Sequence, residues 1–205
     1  MTTISIIGAG NMAAAIGGRA AQAGHTIEVI SRDPAQAEAL AGQIGHDATA
    51  GTFGDRPMGD IVVVAVLAGG AVDAVTRLGD ALSRKTIIDV TNPFNTDGSG
   101  LITGPGDSIA DRIAAVAPHD AHVVKAFNTI YGGAIVGDQP VTAFFAGDDA
   151  GAKALVADFL TSLDLRPLDA GGLDMAHALE WAGLLLVGVS RSGAGFDIAL
   201  STQAL

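Results

Sequence analysis

A glycine-rich segment near the amino terminus is the strongest chemical signal in the sequence. The segment Gly8-Ala9-Gly10-Asn11-Met12-Ala13 has the pattern G-x-G-x-x-A, and it lies between a short β-branched run and an alanine-rich stretch. In such a turn the first glycine permits the bend and the second lets the backbone approach a pyrophosphate, while the helix N-terminus offers free N–H groups. We therefore predict a dinucleotide site at Gly8, Gly10, Asn11 and Met12.

The end of the second predicted strand indicates which dinucleotide is bound. NAD-binding proteins usually carry an acid about 20 residues after the motif. Glu28 is the first acid at that distance, but it falls in mid-strand between two apolar residues and should face away from them. The strand ends instead at Ser31, followed by Arg32. Because a hydroxyl and a guanidinium suit a 2′-phosphate, we predict NADP rather than NAD. The alternative is that Arg32 is a solvated turn residue paired with Asp33.

The elements that must position these residues alternate along the chain. Short β-branched runs alternate with alanine-rich stretches, which is typical of parallel strands joined by crossover helices. Strands are predicted at 3–7, 26–30, 61–67, 86–90, 122–127, 141–146 and 165–168. Helices are predicted at 12–23, 34–44, 70–82, 109–116, 150–163 and 175–189. The fold class is α/β, a Rossmann doubly wound parallel sheet with a small C-terminal helical portion. We place the NADP-binding domain at 1–140 and a substrate or dimerisation portion at 141–205.

Several polar residues fall where these strands end, and ligands of open parallel sheets bind outside the carboxyl ends of the strands. Asn92 precedes a proline and is predicted either to contact nicotinamide or to form an Asx turn. Lys125, within a strand, either reaches an anionic group of the substrate or lies at a solvated edge. Asn128 and Thr129 are further substrate-side candidates, because the strand opens there into a glycine loop at Gly132-Gly133.

Four segments together carry a family resemblance: Ser31-Arg32, Asp89-Val90-Thr91-Asn92-Pro93, Lys125-Ala126-Phe127-Asn128-Thr129 and Gly147-Asp148-Asp149. With them the chain resembles the coenzyme F420-dependent NADP oxidoreductases, which transfer hydride between NADPH and a deazaflavin and usually form homodimers. It is also similar to the oxidoreductase domain of the STEAP metalloreductases. The resemblance implies that the glycine loop holds the pyrophosphate and that Ser31 and Arg32 hold the 2′-phosphate. It places Ala65, Val66, Leu67, Asn92 and Pro93 beside the nicotinamide.

The sequence also departs from that family. Gln36 and Ala37 stand where family members commonly add a basic residue, and the segment from Lys125 to Thr129 is closer to the STEAP domain. The resemblance implies coenzyme F420 as the second substrate. Because of these departures, FMN, FAD or a ferric chelate are alternatives. A different class of function, a non-catalytic NADP(H) sensor, is the remaining alternative.

The sequence offers little for acid–base or metal chemistry. It has no cysteine, and His119 and His122 have no further metal-like ligand nearby in sequence, so we expect no metal site. His177, three residues before Glu180 on the last predicted helix, is the imidazole that could reach the cleft. We expect hydride transfer by proximity, with no catalytic side chain.

Charge and hydropathy limit the partners. The sequence has 11 Lys and Arg residues and 22 Asp and Glu residues, and the resulting net charge of −11 opposes binding to nucleic acid. The most apolar stretches, 61–72 and 181–189, are shorter than the ~20 residues of a membrane span, so no membrane association is predicted. The first residues lack the basic region of a signal peptide, which favours a cytoplasmic protein. The last helix is apolar almost all round, which predicts a homodimer of which it forms the seam.

Overall fold

The computed structural model describes residues 1–196 and 198–202. One eight-stranded sheet has the order β3-β2-β1-β4-β5-β6-β7-β8. Its strands are β1 Thr3–Ile7, β2 Thr26–Ser31, β3 Thr49–Thr52, β4 Ile61–Val64, β5 Thr86–Asp89, β6 His122–Ala126, β7 Thr142–Gly147 and β8 Arg166–Asp169. The helices are α1 Asn11–Gln22, α2 Pro34–Ile44, α3 Ala68–Leu78, α4 Ile109–Val116, α5 Gly132–Val136, α6 Ala150–Ser162 and α7 Ala176–Val189. The predicted Rossmann α/β fold is confirmed.

The sheet is parallel from β3 to β6, and its last two strands reverse. β7 pairs antiparallel with β6, with Lys125 opposite Ala146, and β8 runs parallel to β7. A parallel return would need a crossover helix across the sheet. The β6–β7 connection instead holds only the five-residue α5, so the chain turns back. The boundary predicted at residue 140 remains a prediction, since β7 and β8 extend the same sheet beyond it.

Two elements are absent from the sequence-based prediction. β3 is the edge strand Thr-Ala-Gly-Thr, which is mostly exposed and has no apolar alternation. The glycine loop predicted at Gly132-Gly133 is wrong, because these residues begin α5, which packs beside α1. The strand predicted to reach Leu67 ends at Val64, and α3 starts at Ala68. Residues 65–67 are thereby free to turn across the carboxyl end of the sheet.

Close packing beneath α1 sets the height of the glycine loop above the sheet. A Cβ atom added at Gly17 would lie 2.7 Å from Cδ1 of Ile44 and 3.1 Å from Cδ1 of Ile6. Gly17 is therefore a position of close packing between α1 and its neighbours. The two apolar cores lie on opposite faces of the sheet, one under α1, α2 and α6 and the other under α3 and α4.

The last helix is longer than its most apolar stretch suggested. Within the described residues, Leu173–Ala194 is one helical run of 22 residues that is long and apolar enough to cross a membrane by length and composition. This helical run is longer than the apolar stretch 181–189 considered in the sequence, and the absence of membrane association remains a prediction. The same helix carries Glu180, which is completely buried against the sheet. Glu180 accepts from Lys125 inside the protein, and a buried charged pair of this kind is typical of a core helix rather than a lipid-facing one.

Candidate functional site

A cavity of about 670 Å³ runs along the carboxyl ends of β2, β1, β4 and β5. This volume is in the usual range for small-molecule sites. The predicted cofactor-binding residues that line it are Gly8, Gly10, Asn11, Met12, Ser31, Arg32, Ala65, Val66, Leu67 and Asn92. Pro93 is buried and does not line it. The fold thus brings one predicted set of residues, from four strands, to a single cleft.

Gly8 and Gly10 of the motif are required for different structural reasons. Gly8 has φ +123°, and a Cβ atom there would lie 2.3 Å from the carbonyl oxygen of Ala65. Gly10 has an ordinary φ of −91°, and no described atom lies within 4 Å of the Cβ it would carry. Gly8 therefore allows the loop to fold against β4, whereas Gly10 keeps the cavity wall open. No described side chain caps the N-terminus of α1, so its first N–H groups remain available to an anion.

The other end of the cavity has the groups expected for a 2′-phosphate. Ser31 and Arg32 lie there with Gln36, and Arg32 is exposed. Among the described residues Arg32 forms no ion pair with Asp33; instead the Asp33 carboxylate caps α2 by accepting from Ala35 N at 3.0 Å. This geometry disfavours the solvated-pair alternative for Arg32.

Glu28 has a structural role, as its mid-strand position suggested. Its buried carboxylate accepts from the Ser5 hydroxyl and, at 2.8 Å, from Met58 N, while Gly59 N donates to the Ser5 hydroxyl oxygen. These bonds fasten the segment before β4 to the first two strands. Glu28, the acid at the spacing typical of NAD-binding proteins, therefore binds groups of the protein itself.

Sequence reasoning missed several residues that line the cavity. Phe53 follows the unpredicted strand β3, and the guanidinium of Arg77 lies 5.1 Å from the centroid of its ring. Thr91, at the end of β5, also lines the cavity. A polar residue directly after a buried strand was the available signal for Thr91, while Phe53 could be found only once β3 was known.

Lys125 lies in a completely buried ion cluster rather than at a solvated edge. Its Nζ donates to Asp89 Oδ2 at 2.8 Å, to Glu180 Oε1 at 2.9 Å and to the carbonyl oxygen of Thr91 at 2.6 Å, and all three charged side chains are 0% exposed. The expected solvated edge is wrong, because α7 covers this part of β6 and supplies Glu180. The ammonium uses its three protons inside the protein, which leaves Lys125 no donor for a substrate anion.

The cluster buries two carboxylates and one ammonium. Desolvation by burial raises the pKa of Glu180 above its ordinary value, against the opposing attraction of Lys125. Ile109 N, at the start of α4, also donates to Glu180 Oε1 at 2.9 Å, so the helix N-terminus partly compensates the surplus negative charge. The cluster thus joins α4, α7, β5 and β6 immediately behind the cavity.

The remaining substrate-side candidates, Asn128, Thr129 and His177, do not line the cavity. Asn92 and Asn128 bind each other: Asn92 Nδ2 donates to the carbonyl oxygen of Asn128 at 2.7 Å, and Asn128 Nδ2 donates to Asn92 Oδ1 at 3.0 Å. Thr129 is buried, and Phe127 between β6 and these residues has the left-handed φ of +62°. His177 Nδ1 is 2.5 Å from the carbonyl oxygen of Asp174, and His177 does not line the cavity. Roles of Asn128, Thr129 and His177 toward a substrate remain predictions.

The cavity residues fit a dinucleotide on structural grounds. The uncapped N-terminus of α1 and the open face at Gly10 suit a pyrophosphate, and Arg32 stands at one end for a further phosphate. At the other end the Thr91 hydroxyl oxygen is buried with no hydrogen-bond partner in the described part of the chain. Fold and site together define a dinucleotide-binding protein of the Rossmann class.

Comparison with known proteins finds one family that the amino-terminal part of the chain matches. Residues 3–93 match the model of the family described as NADP oxidoreductase, coenzyme F420-dependent. Over these residues the resemblance predicted from the sequence is confirmed.

Solved structures share the fold over most of the chain. A protein of Arthrobacter sp. FB24, proposed to be an F420-dependent NADP reductase, is 24% identical with a TM-score of 0.89 and covers 100% of both chains. A hypothetical protein from Sinorhizobium meliloti is 27% identical with a TM-score of 0.76, covering 84% of this chain and 86% of its own. A pyrroline carboxylate reductase of Plasmodium falciparum with NADP bound is 16% identical, with a TM-score of 0.62, covering 98% of this chain and 71% of its own.

Proposed function

We propose that the protein transfers hydride directly between NADPH and a deazaflavin, coenzyme F420. The observation that carries the proposal is the cavity itself, which joins the uncapped glycine-loop helix, Ser31-Arg32 and the β5 end in one cleft. The description of the matching family names both coenzymes and supports the same pairing. NADPH, when bound, supplies the hydride.

The residues of the chain would bind and orient rather than exchange protons. The N–H groups of α1 and the Arg32 guanidinium would hold the phosphates. At the other end, Gly69 and Gly70 of α3 line the cavity, and no described atom lies within 4 Å of the Cβ either would carry. This open, small-residue wall suits the close approach of a second flat ring, since orientation of the two reactants supplies most of the catalysis. Lys125 donates its hydrogen bonds within the buried cluster, and His177 does not line the cavity.

The experiment that tests the proposal measures NADPH oxidation by the purified protein against coenzyme F420, FMN, FAD and a ferric chelate in parallel. Turnover with F420 at least tenfold faster than with the others supports it. Preference for a flavin or a ferric chelate would favour the metalloreductase alternative. Binding of NADPH without turnover of any acceptor would favour a sensor.

Arg32→Ala is expected to weaken NADPH binding by about one to two decades and to change NADH binding little. A charge-assisted bond to phosphate contributes about 1.5–3 kcal/mol, and only NADPH carries the 2′-phosphate. Titration of both nucleotides into the variant checks this. Arg112→Ala, which removes an exposed arginine paired with Asp107 on α4, serves as the matched control. Equal losses for NADPH and NADH would reject the assignment of Arg32.

We also propose a homodimer with α7 in the seam. Trp181, Leu185 and Val189 follow one another at helical spacing on its outer face and are 47%, 59% and 43% exposed. Leu185→Lys should convert a dimer into a monomer of 20.4 kDa in light scattering, because it places a charge in the buried seam. Val116→Lys, at an exposed apolar position on α4, should leave the mass unchanged. A wild-type protein that is monomeric at micromolar concentration would reject the proposal.

A further inference from the structure

The middle of α7 lies directly against the segments that follow β5 and β6. A Cβ atom at Gly183 would lie 2.6 Å from Oδ1 of Asn92 and 3.1 Å from both Cγ and Nδ2 of the same side chain. One turn earlier, the carbonyl oxygen of Leu179 accepts from Asn128 Nδ2 at 2.7 Å, and Glu180 enters the buried ion cluster. At Gly183 the helix therefore has room for a hydrogen atom and for no larger group.

The Asn92 amide is also held from the side of β6. Its Nδ2 donates to the carbonyl oxygen of Asn128 at 2.7 Å, and its Oδ1 accepts from Asn128 Nδ2 at 3.0 Å. Phe127, directly before Asn128, is buried and has a φ of +62°. A residue other than glycine keeps this strained conformation only where its surroundings hold it, here by packing on Phe159 with the ring centroids 6.1 Å apart. Asn128 is thus a firmly placed partner for Asn92.

The third side of Asn92 is the cavity. Asn92 is partly exposed and lines the cavity, whereas Asn128 and Gly183 are buried and do not line it. The strand order β2-β1-β4-β5 puts Arg32 at one end of the cavity and Asn92, which follows β5, at the other. A dinucleotide with its 2′-phosphate at Arg32 and its pyrophosphate at the glycine loop has its nicotinamide at the β5 end. The contact between α7 and Asn92 therefore lies behind the nicotinamide end of the cavity.

A group added to α7 at this contact would move Asn92 rather than the helix. The atoms in its way are the end of a side chain, which can rotate once its bond to Asn128 Nδ2 breaks. The helix cannot yield as easily, because Glu180 anchors it to Lys125 one turn earlier. With α7 on one side and Asn128 on another, the displaced amide would turn toward the cavity.

We propose that Gly183 and Asn128 are positioning residues of the dinucleotide site. Together they hold the Asn92 amide back against α7 and so keep the nicotinamide end of the cavity open. This inference rests on the proposed function and adds to it a contact through which the position of α7 acts on the cofactor. Correct placement of the nicotinamide is what direct hydride transfer requires.

The test compares Gly183→Ala with Gly188→Ala. Both exchange glycine for alanine within α7, but no described atom lies within 4 Å of the Cβ that Gly188 would carry, and Gly188 does not line the cavity. By calorimetric titration, Gly183→Ala should bind NADP⁺ about five- to tenfold more weakly than wild type, the effect expected when one contact of a bound ligand is lost. It should bind 2′-phospho-ADP-ribose, which lacks the nicotinamide, as wild type does. Gly188→Ala should bind both ligands as wild type does.

Asn92→Ala identifies the residue through which Gly183 acts, because it removes the amide that the new methyl group would displace. In the Asn92→Ala background, adding Gly183→Ala should weaken NADP⁺ binding by less than about twofold further. Should Gly183→Ala fold poorly in thermal melting, Asn128→Ala, which removes the bond to Asn92 Oδ1, repeats the comparison of the two ligands with the same expected result.

Three results would overturn the inference and leave the proposed function standing. They are unchanged NADP⁺ binding by Gly183→Ala, equal weakening of both ligands by this variant, and a full further loss when Gly183→Ala is added to Asn92→Ala. A wild-type protein that binds neither ligand would overturn the inference and the proposed function together.

Discussion

Lys125→Met is expected to lower the free energy of unfolding by about 3–5 kcal/mol, a large part of the total stability of an ordinary domain. Methionine fills most of the volume but leaves Asp89 and Glu180 as two buried carboxylates without their shared ammonium. It also removes the bond to the carbonyl oxygen of Thr91. Urea denaturation of wild type and variant at neutral pH measures the loss.

The control is Lys153→Met, which breaks an ion pair of similar length with Asp169, where both side chains remain partly exposed. Such pairs contribute only about 0–1 kcal/mol, so the control should remain close to wild type. A loss for Lys125→Met no larger than that of Lys153→Met would contradict the account of the cluster.

The same variant should show a definite pH dependence. The pKa of Glu180 is already raised above the ordinary 4.5 by burial, and loss of Lys125 removes an attraction that opposes this rise. A raised pKa means that the folded protein keeps a proton which the unfolded chain has released, so stability falls as pH rises above 4.5. The destabilisation by Lys125→Met should therefore be smaller at pH ~5 than at pH ~8. Equal losses at both pH values would indicate that the carboxylates are not the cause.

The parts of the fold that could be predicted are those in which local sequence and tertiary packing agree. The helices predicted at 34–44 and 150–163 begin where expected: Asp33 caps α2 ahead of Pro34, and the Asp149 carboxylate caps α6 by accepting from Ala152 N at 2.8 Å. The edge strand β3 could not be predicted, because its small and polar residues form a strand only by pairing with β2. α5 could not be predicted either, because its two glycines disfavour a helix unless neighbouring elements support it.

The candidate site likewise has residues that could be predicted from the sequence and residues that could not. Residues at the ends of β1, β2, β4 and β5 could be assigned to one cleft, because parallel strands bring their carboxyl ends to one edge. The environment of Lys125 could not be predicted, because its partner Glu180 lies 55 residues further along the chain on another element. A lysine in a strand fits a solvated edge equally well until the position of α7 is known.

The glycine motif offers the second large effect, because its two glycines should respond differently to substitution. A side chain at Gly8 would need a left-handed backbone and would collide with the carbonyl of Ala65, so such a variant is expected to lose stability and binding together. Loss of binding at Gly8 would therefore say little about the ligand. Gly10 has an extended backbone and open space at its Cβ position among the described atoms, so it can separate the two effects.

Gly10→Leu is expected to weaken NADPH binding by at least about 100-fold, equivalent to ~2.7 kcal/mol, while changing stability by no more than about 1 kcal/mol. The small stability change follows from exchanging glycine for a poorer N-cap residue at the start of α1. The loss of binding follows because the leucine side chain would fill the cavity wall that the pyrophosphate must approach. Gly18→Leu is the matched control, since Gly18 lies on the same helix, has equally open space at its Cβ position in the described structure, and does not line the cavity. Calorimetric titration with NADPH and urea denaturation of both variants give the two readouts. Full NADPH affinity in Gly10→Leu would mean that the phosphates do not lie at the N-terminus of α1, and the proposed dinucleotide orientation would have to be abandoned.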